Sequence, residues 1–154
     1  MTDMINISLL ENLTEKTKPV WGIMTSQHMI EHLTMAVQSS TGKITFNRFI
    51  TPEDKVPIAK RFLNSSRPLP KLFVNEVISE VIGEGLIPLI NNDLASAIIE
   101  LKKELEYFDE YFKRNPEAKP INATFGPLDH DEWIAFHIKH FTHHLTQFGL
   151  ISND

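Results

Sequence analysis

Four of the seven histidines of this chain stand within eight residues near the C-terminus, at positions 137, 140, 143 and 144. His140 and His144 are four positions apart, so on an α-helix they lie about 40° from each other and one turn apart. A pair at this spacing can direct two imidazole nitrogens at one point, as two metal ligands on a single helix must. The spacing therefore indicates a metal site, although it does not specify a reaction.

The helical wheel of this segment has one polar sector bounded by aromatic residues. A sector of about 80° contains Trp133, His137, His140, His144 and Gln147. Such a pattern predicts an inward face, where unpaired polar atoms would be costly. Two interpretations remain open, a metal site or a hydrogen-bonded, pH-sensitive histidine cluster. His143 is rotated by about 100° from His144 and is expected to be a structural or surface residue.

A third nitrogen ligand is available from a second predicted helix, which carries His28 and His32 at the same spacing. His32 is the better candidate because it lies deeper in the helix, whereas His28 falls in the first turn and is expected at the surface or near the cap. His137, one turn before His140, is either a reserve ligand or a residue that supports the ligands. Gln147 is placed to orient His144 by a hydrogen bond. His130 is expected to be exposed.

Composition bounds the class of protein. The 154 residues, 42% of them hydrophobic, predict one domain over residues 1–154. A net charge of −5 without a basic run argues against nucleic-acid binding. No apolar stretch approaches membrane length and no signal pattern opens the chain, so a cytoplasmic protein is expected. Without cysteine the chain has no thiolate of its own for metal binding or catalysis.

Helical periodicity and capping signals predict an all-α fold. We expect a short leading helix over 5–16, a second helix from Thr25 or Ser26 to about Ser40, and a third over about 92–113. The histidine helix should begin after Asp129 and end before Gly149. Residues 43–90, rich in proline, are interpreted as a long irregular crossover with one short helix over 56–63. The preferred architecture is a four-helix bundle with this crossover between the second and third long helical segments.

Two segments of the chain resemble a known family. Residues 21–33 read WGIMTSQHMIEHL. Residues 125–128 read FGPL and are followed by Trp133, by His-x-x-His-x-x-His-His over 137–144, and by Gln147-Phe148-Gly149. These motifs resemble the DUF1569 family of the DinB/YfiT-like metalloenzyme superfamily. Related proteins often have His-Pro before Phe-Gly, where this chain has Ala123-Thr124, so no role is carried over to a histidine in that loop.

The resemblance implies a four-helix bundle that holds one divalent metal through three histidines, matching His32, His140 and His144. Zinc or nickel is the metal expected first. Iron and manganese remain alternatives, because nitrogen ligands alone do not select among these metals. Some relatives are S-transferases that use low-molecular-weight thiols, and others look like metal-dependent hydrolases. The superfamily also suggests a homodimer.

The favoured function is therefore a metal-dependent enzyme that acts on a small molecule, of the thiol-dependent S-transferase type. One alternative is a metal-dependent hydrolase. Another is a non-catalytic bundle in which the metal serves as a structural staple, or a stress-related binding module. Three protein ligands and an open position would favour an enzyme, whereas four ligands in a closed site would favour the staple.

Overall fold

Helices dominate this computed structural model, which describes residue 1 and residues 3–152. A short 3-10 helix, Ile7–Asn12, precedes the helices α1 (Ser26–Ser40), α2 (Val56–Leu63), α3 (Glu76–Ile82), α4 (Leu94–Arg114) and α5 (His130–Gln147). A 3-10 turn, Glu53–Lys55, leads into α2, and the strands β1 (Ile121–Asn122) and β2 (Gly126–Pro127) form a small antiparallel ladder. Among the described residues, no helix combines the length and apolar character needed to cross a bilayer.

The ends of the three long helices follow from their capping residues. The Thr25 side chain accepts a hydrogen bond from the backbone of His28 at the start of α1. Asp93 caps α4 in the same way. Asp129 and Glu132 form a reciprocal capping box at the start of α5. Each cap satisfies an otherwise unpaired N–H group. The three helices start where the sequence predicts, so these predictions are confirmed.

The long helices have defined relative directions. Glu31 of α1 accepts hydrogen bonds from Asn91, just before α4, and further along Gln38 of α1 donates to Glu104 of α4. These two helices are therefore parallel. Helix α5 runs the opposite way, since His137 meets Ser40 at the end of α1, whereas His140, further along α5, meets His32 nearer the start of α1. The starts of α1 and α4 and the end of α5 consequently share one end of the molecule, which we call the histidine end.

The main core lies where these three helices meet. Fully buried side chains from all three contribute to it, namely Met29, Ile30, Leu33, Val37, Leu101, Leu105, Phe108 and Trp133. Burying one such side chain stabilises the fold by about 1.5–3 kcal/mol. This packing fixes the inner faces of α1 and α5, which carry the histidines, against each other.

Two expectations about the remaining chain need correction. The leading helix is shorter than the predicted 5–16 and is of the 3-10 type, a form that is stable only in short pieces. The crossover contains α2 as predicted and also α3, which was not predicted. Helix α3 has only seven residues, too few for a clear periodicity, and it is fixed by the Asn75 cap and by burial of Val77 beside Phe46 and Ala123.

Candidate metal centre

Three imidazole nitrogens converge between α1 and α5. The Nε2 atom of His140 lies 3.0 Å from Nε2 of His32 and 3.1 Å from Nε2 of His144. One potential ligand atom from each of the three residues lies within 4.8 Å of the other two. In the described part of the chain, these three histidines are the group of side chains that could hold a metal ion. Nitrogens that share one zinc ion at bond lengths of about 2.0–2.1 Å are about 3–3.5 Å apart. The two contacts of His140 therefore have the spacing of nitrogens that share one ion, and the three residues could hold a metal ion.

The protonation form of His144 is fixed by Gln147. Nδ1 of His144 lies 2.7 Å from the Gln147 side-chain oxygen, and the Gln147 amide nitrogen donates to the Trp21 carbonyl over 3.0 Å. Because that carbonyl can only accept, the amide nitrogen must face it and the amide oxygen must face His144. Nδ1 of His144 is thus the donor, and its Nε2 carries a lone pair 3.1 Å from Nε2 of His140. This is the support that a metal-ligating histidine needs.

A loop glycine allows the Gln147 contact. The backbone N–H of Val20 donates to the Gln147 carbonyl over 2.7 Å, which holds the 20–22 loop against the end of α5. Gly22 has φ +83°, and a Cβ atom there would lie 2.8 Å from the Gln147 amide nitrogen. Glycine is required by both the backbone conformation and the close approach.

Burial keeps the candidate ligands neutral. His140 and His144 are 8% and 5% exposed, while His32 is half-buried and gives the group its side toward solvent. Burial, aided by the charge of His143, lowers the pKa of His32 to about 4. Burial and the neighbouring histidines hold the pKa values of His140 and His144 well below 6.5. Neutral imidazole is the form that binds metal, so the group is ready for ligation near neutral pH.

His137 belongs to the core beside this group. The Ser40 hydroxyl donates to the Val37 carbonyl over 2.6 Å, so it accepts from Nε2 of His137 over 2.9 Å. Nδ1 of His137 is buried without a hydrogen-bond partner among the described residues, as is Nδ1 of His140. Burial lowers the pKa of His137 to about 3. Its Nε2 is therefore engaged by Ser40, and His137 is not one of the three histidines that converge.

The other candidate histidines have separate positions. Nδ1 of His28 lies 2.6 Å from the hydroxyl of its cap, Thr25, as expected for a first-turn residue. His143 is half-buried, and its ring meets Trp21 at 5.5 Å and His144 at 4.9 Å between centroids. His130 is the first residue of α5, at the opposite end of this helix from His144. Its side chain is 41% exposed and contacts Phe108 of α4.

Glu31, the residue before His32, is a supporting group that the sequence did not reveal. Its buried carboxylate accepts hydrogen bonds from the backbone N–H groups of Ile90 and Asn91, from the Asn91 side chain and from the Gln27 side chain. Desolvation acts to raise the pKa of Glu31, but these hydrogen bonds outweigh it and lower the pKa. The carboxylate thus fastens the 90–91 loop beside the His32 turn.

The loop that contains Ala123 and Thr124 is held by contacts with two other segments of the chain. Thr124 accepts a hydrogen bond from Asn75, and the carbonyls of Ala123 and Thr124 accept from the backbone of residues 50 and 51. These contacts give the loop a structural role.

No protein-family model matches the chain, and comparisons with curated proteins and with solved structures find no match either.

Proposed function

We propose that this protein is a metal-dependent enzyme of the DinB-like type, and that it transfers a low-molecular-weight thiol to a small electrophile. The observation that carries the proposal is the convergence of three neutral imidazole nitrogens, one of them on a half-buried residue, His32. Among the described residues, no fourth histidine or carboxylate joins this group. A three-histidine set leaves a coordination position open to a substrate atom, which is typical of catalytic sites.

The fold supports the same proposal. Helices α1, α4 and α5 pack around one core, and α2 contacts α5 as a fourth helix. We propose that these four helices are the bundle expected for the DUF1569 family. In such bundles, ligands project inward from facing helices, as His32 does from α1 and His140 and His144 do from α5.

The chemistry can be assigned to the groups that the site provides. A divalent metal held there would lower the pKa of a bound thiol and so favour its nucleophilic form. His32, His140 and His144 would hold the ion, and Gln147 would keep His144 in the ligating form. In the transfer, a bond forms between the thiol sulfur and the electrophilic carbon, the leaving group departs with its electron pair, and the thiol proton passes to water. The nucleophile must come from the cosubstrate, because the chain contains no cysteine.

A second candidate function is a metal-stapled module without catalysis. The observation that favours it is the burial of His140 and His144, which limits the access of a substrate to their nitrogens. A metal-dependent hydrolase that uses the same open position is the third candidate.

We also propose that the protein is a homodimer. Light scattering would test this proposal.

Metal content and thiol turnover together test the main proposal. Protein purified without a histidine tag should contain one divalent metal per chain by elemental mass spectrometry. The metal-loaded protein should conjugate a chlorodinitrobenzene-type electrophile to at least one of several low-molecular-weight thiols, and a chelator should abolish the activity. Metal binding without turnover of any thiol would favour the stapled module.

Single substitutions test the ligand assignment. His32→Ala, His140→Ala and His144→Ala should each lose stoichiometric metal, because two nitrogens hold a divalent ion far more weakly than three. Each variant should stay mostly helical by circular dichroism, since the core of α1, α4 and α5 is separate from the ligand atoms. His130→Ala, at the other end of α5, is the matched control and should keep its metal. Full occupancy in His140→Ala would contradict the assignment.

A further inference from the structure

Three basic side chains at the histidine end have no acidic partner, in a chain with more acidic than basic residues. They are Arg67, Lys71 and Lys139, which we call the basic strip. Elsewhere, Lys43, Arg48 and Lys60 pair with glutamates. The strip is set apart by its position against α5 and Trp21, because a lack of ion pairs among the described residues is shared by Lys16, Lys18, Arg61, Lys102, Lys103 and Lys119. Within residues 1 and 3–152, no carboxylate lies within ion-pair distance of the strip. The strip is therefore a local region of positive charge on a protein of net charge −5.

The strip is assembled on one face of α5 by the 65–71 segment. The Lys139 ammonium donates to the carbonyls of Ser65 and Arg67 over 2.8 and 2.6 Å, which fixes this segment to the helix. Lys139 and Arg67 both approach the ring of Phe62, at 4.6 and 5.6 Å from its centroid. Lys139 is half-buried, whereas Arg67 and Lys71 are exposed and have donors available to a ligand.

Lys71 connects the strip to the metal centre through two aromatic rings. Its ammonium lies 4.3 Å from the centroid of the Trp21 ring, and Trp21 contacts His143, which in turn contacts His144. The Trp21 backbone also accepts the hydrogen bond from Gln147 that orients His144. Lys71 is thus linked to His144 by successive contacts through Trp21 and His143.

We propose that Lys71, with Arg67, forms a subsite for a carboxylate group of the small molecule whose reactive atom occupies the open position at the three histidines. The inference rests on the proposed function and adds the charge of the substrate to it. The strip selects carboxylate-bearing molecules over neutral ones of the same shape, because unpaired ammonium and guanidinium groups form charge-assisted hydrogen bonds with carboxylate oxygens.

A matched pair of thiols tests the subsite in the cobalt-loaded protein. Binding of 3-mercaptopropionate and of its neutral amide is measured from the sulfur-to-cobalt charge-transfer absorption. We expect the carboxylate to bind about fivefold more tightly, as a partly exposed ion pair allows, and the preference to shrink as salt is added. Lys71→Gln should reduce the ratio toward one and Lys71→Arg should restore it. The control Lys102→Gln, an exposed lysine of α4, should leave the ratio unchanged.

Failure of the subsite and failure of the proposed function give different results. Equal binding of the two thiols, or a ratio that survives in Lys71→Gln, would overturn the subsite while leaving thiol binding intact. No charge-transfer band with either thiol would count against the proposed function. In that case Trp21 fluorescence, isolated by comparison with Trp21→Phe, decides the subsite. Succinate should change the emission at lower concentration than succinamide and lose this advantage in Lys71→Gln, and equal responses would refute the inference.

Discussion

Gln147 offers the sharpest test of the metal centre, because its amide makes two contacts that different substitutions can separate. Gln147→Leu removes both the acceptor for His144 Nδ1 and the donor to the Trp21 carbonyl. Gln147→Glu keeps an acceptor of the same shape for His144, but it replaces the donor by a carboxylate oxygen that faces the Trp21 carbonyl. The first variant should lose metal affinity, and the second should retain it.

The expected loss follows from the burial of the contact. Gln147 and His144 are 4% and 5% exposed, so water cannot readily replace the missing acceptor. Leaving a buried donor unpaired costs about 1–3 kcal/mol. Part of this cost can be avoided if His144 moves its proton to Nε2, but that atom then cannot bind metal. A loss of about 10- to 100-fold in metal affinity is therefore expected for Gln147→Leu.

A competition titration of zinc against a chromophoric chelator at pH 7.5 measures the affinity directly. Thr146→Ala, a change at the neighbouring half-buried position, is the control and should bind zinc within about twofold of the native protein. Circular dichroism checks that each variant is folded. If Gln147→Leu binds zinc as tightly as Thr146→Ala, the argument that Gln147 fixes the ligating form of His144 is wrong.

Two further predictions concern stability. In the metal-free protein the urea midpoint should fall as the pH drops below about 6.5, because the unfolded chain takes up protons that folded His32 and His137, with pKa values of about 4 and 3, do not. A midpoint that stays constant from pH 7.5 to 5 would contradict this linkage. Ser40→Ala should destabilise the protein by about 1–3 kcal/mol, because it leaves the buried Nε2–H group of His137 without an acceptor. Ser65→Ala, at a half-buried loop position, is the control, and an equal midpoint for both variants would show that the His137 bond contributes little.

Local sequence signals account for the parts of the structure that were predicted. The pairing of His140 and His144 depends only on helical spacing, and the starts of α1, α4 and α5 depend on capping residues next to them in the chain. The inward polar sector of α5 was likewise readable from periodicity, and its five members are all buried.

The parts that were missed depend on contacts between distant segments. The acceptor for His137 is Ser40, 97 positions away, and nothing near either residue marks the bond. Glu31 resembles an ordinary surface glutamate of an amphipathic helix until the 90–91 loop folds over it. The basic strip likewise exists only because the 65–71 segment lies against α5, in a crossover whose path no periodicity indicates.

The long separation between the ligands constrains when the site can form during synthesis. His32 and His140 lie 108 positions apart. Because α1 and α4 are parallel, the chain must also return along the length of the molecule between the end of α1 and the start of α4. A ribosome that adds about 5–20 residues per second makes His140 some 5–20 s after His32. During that interval the nascent chain has only one of the three converging nitrogens. A metal ion bound by all three histidines would therefore be captured late, after docking of α5, and could not nucleate the folding of the helices made before it.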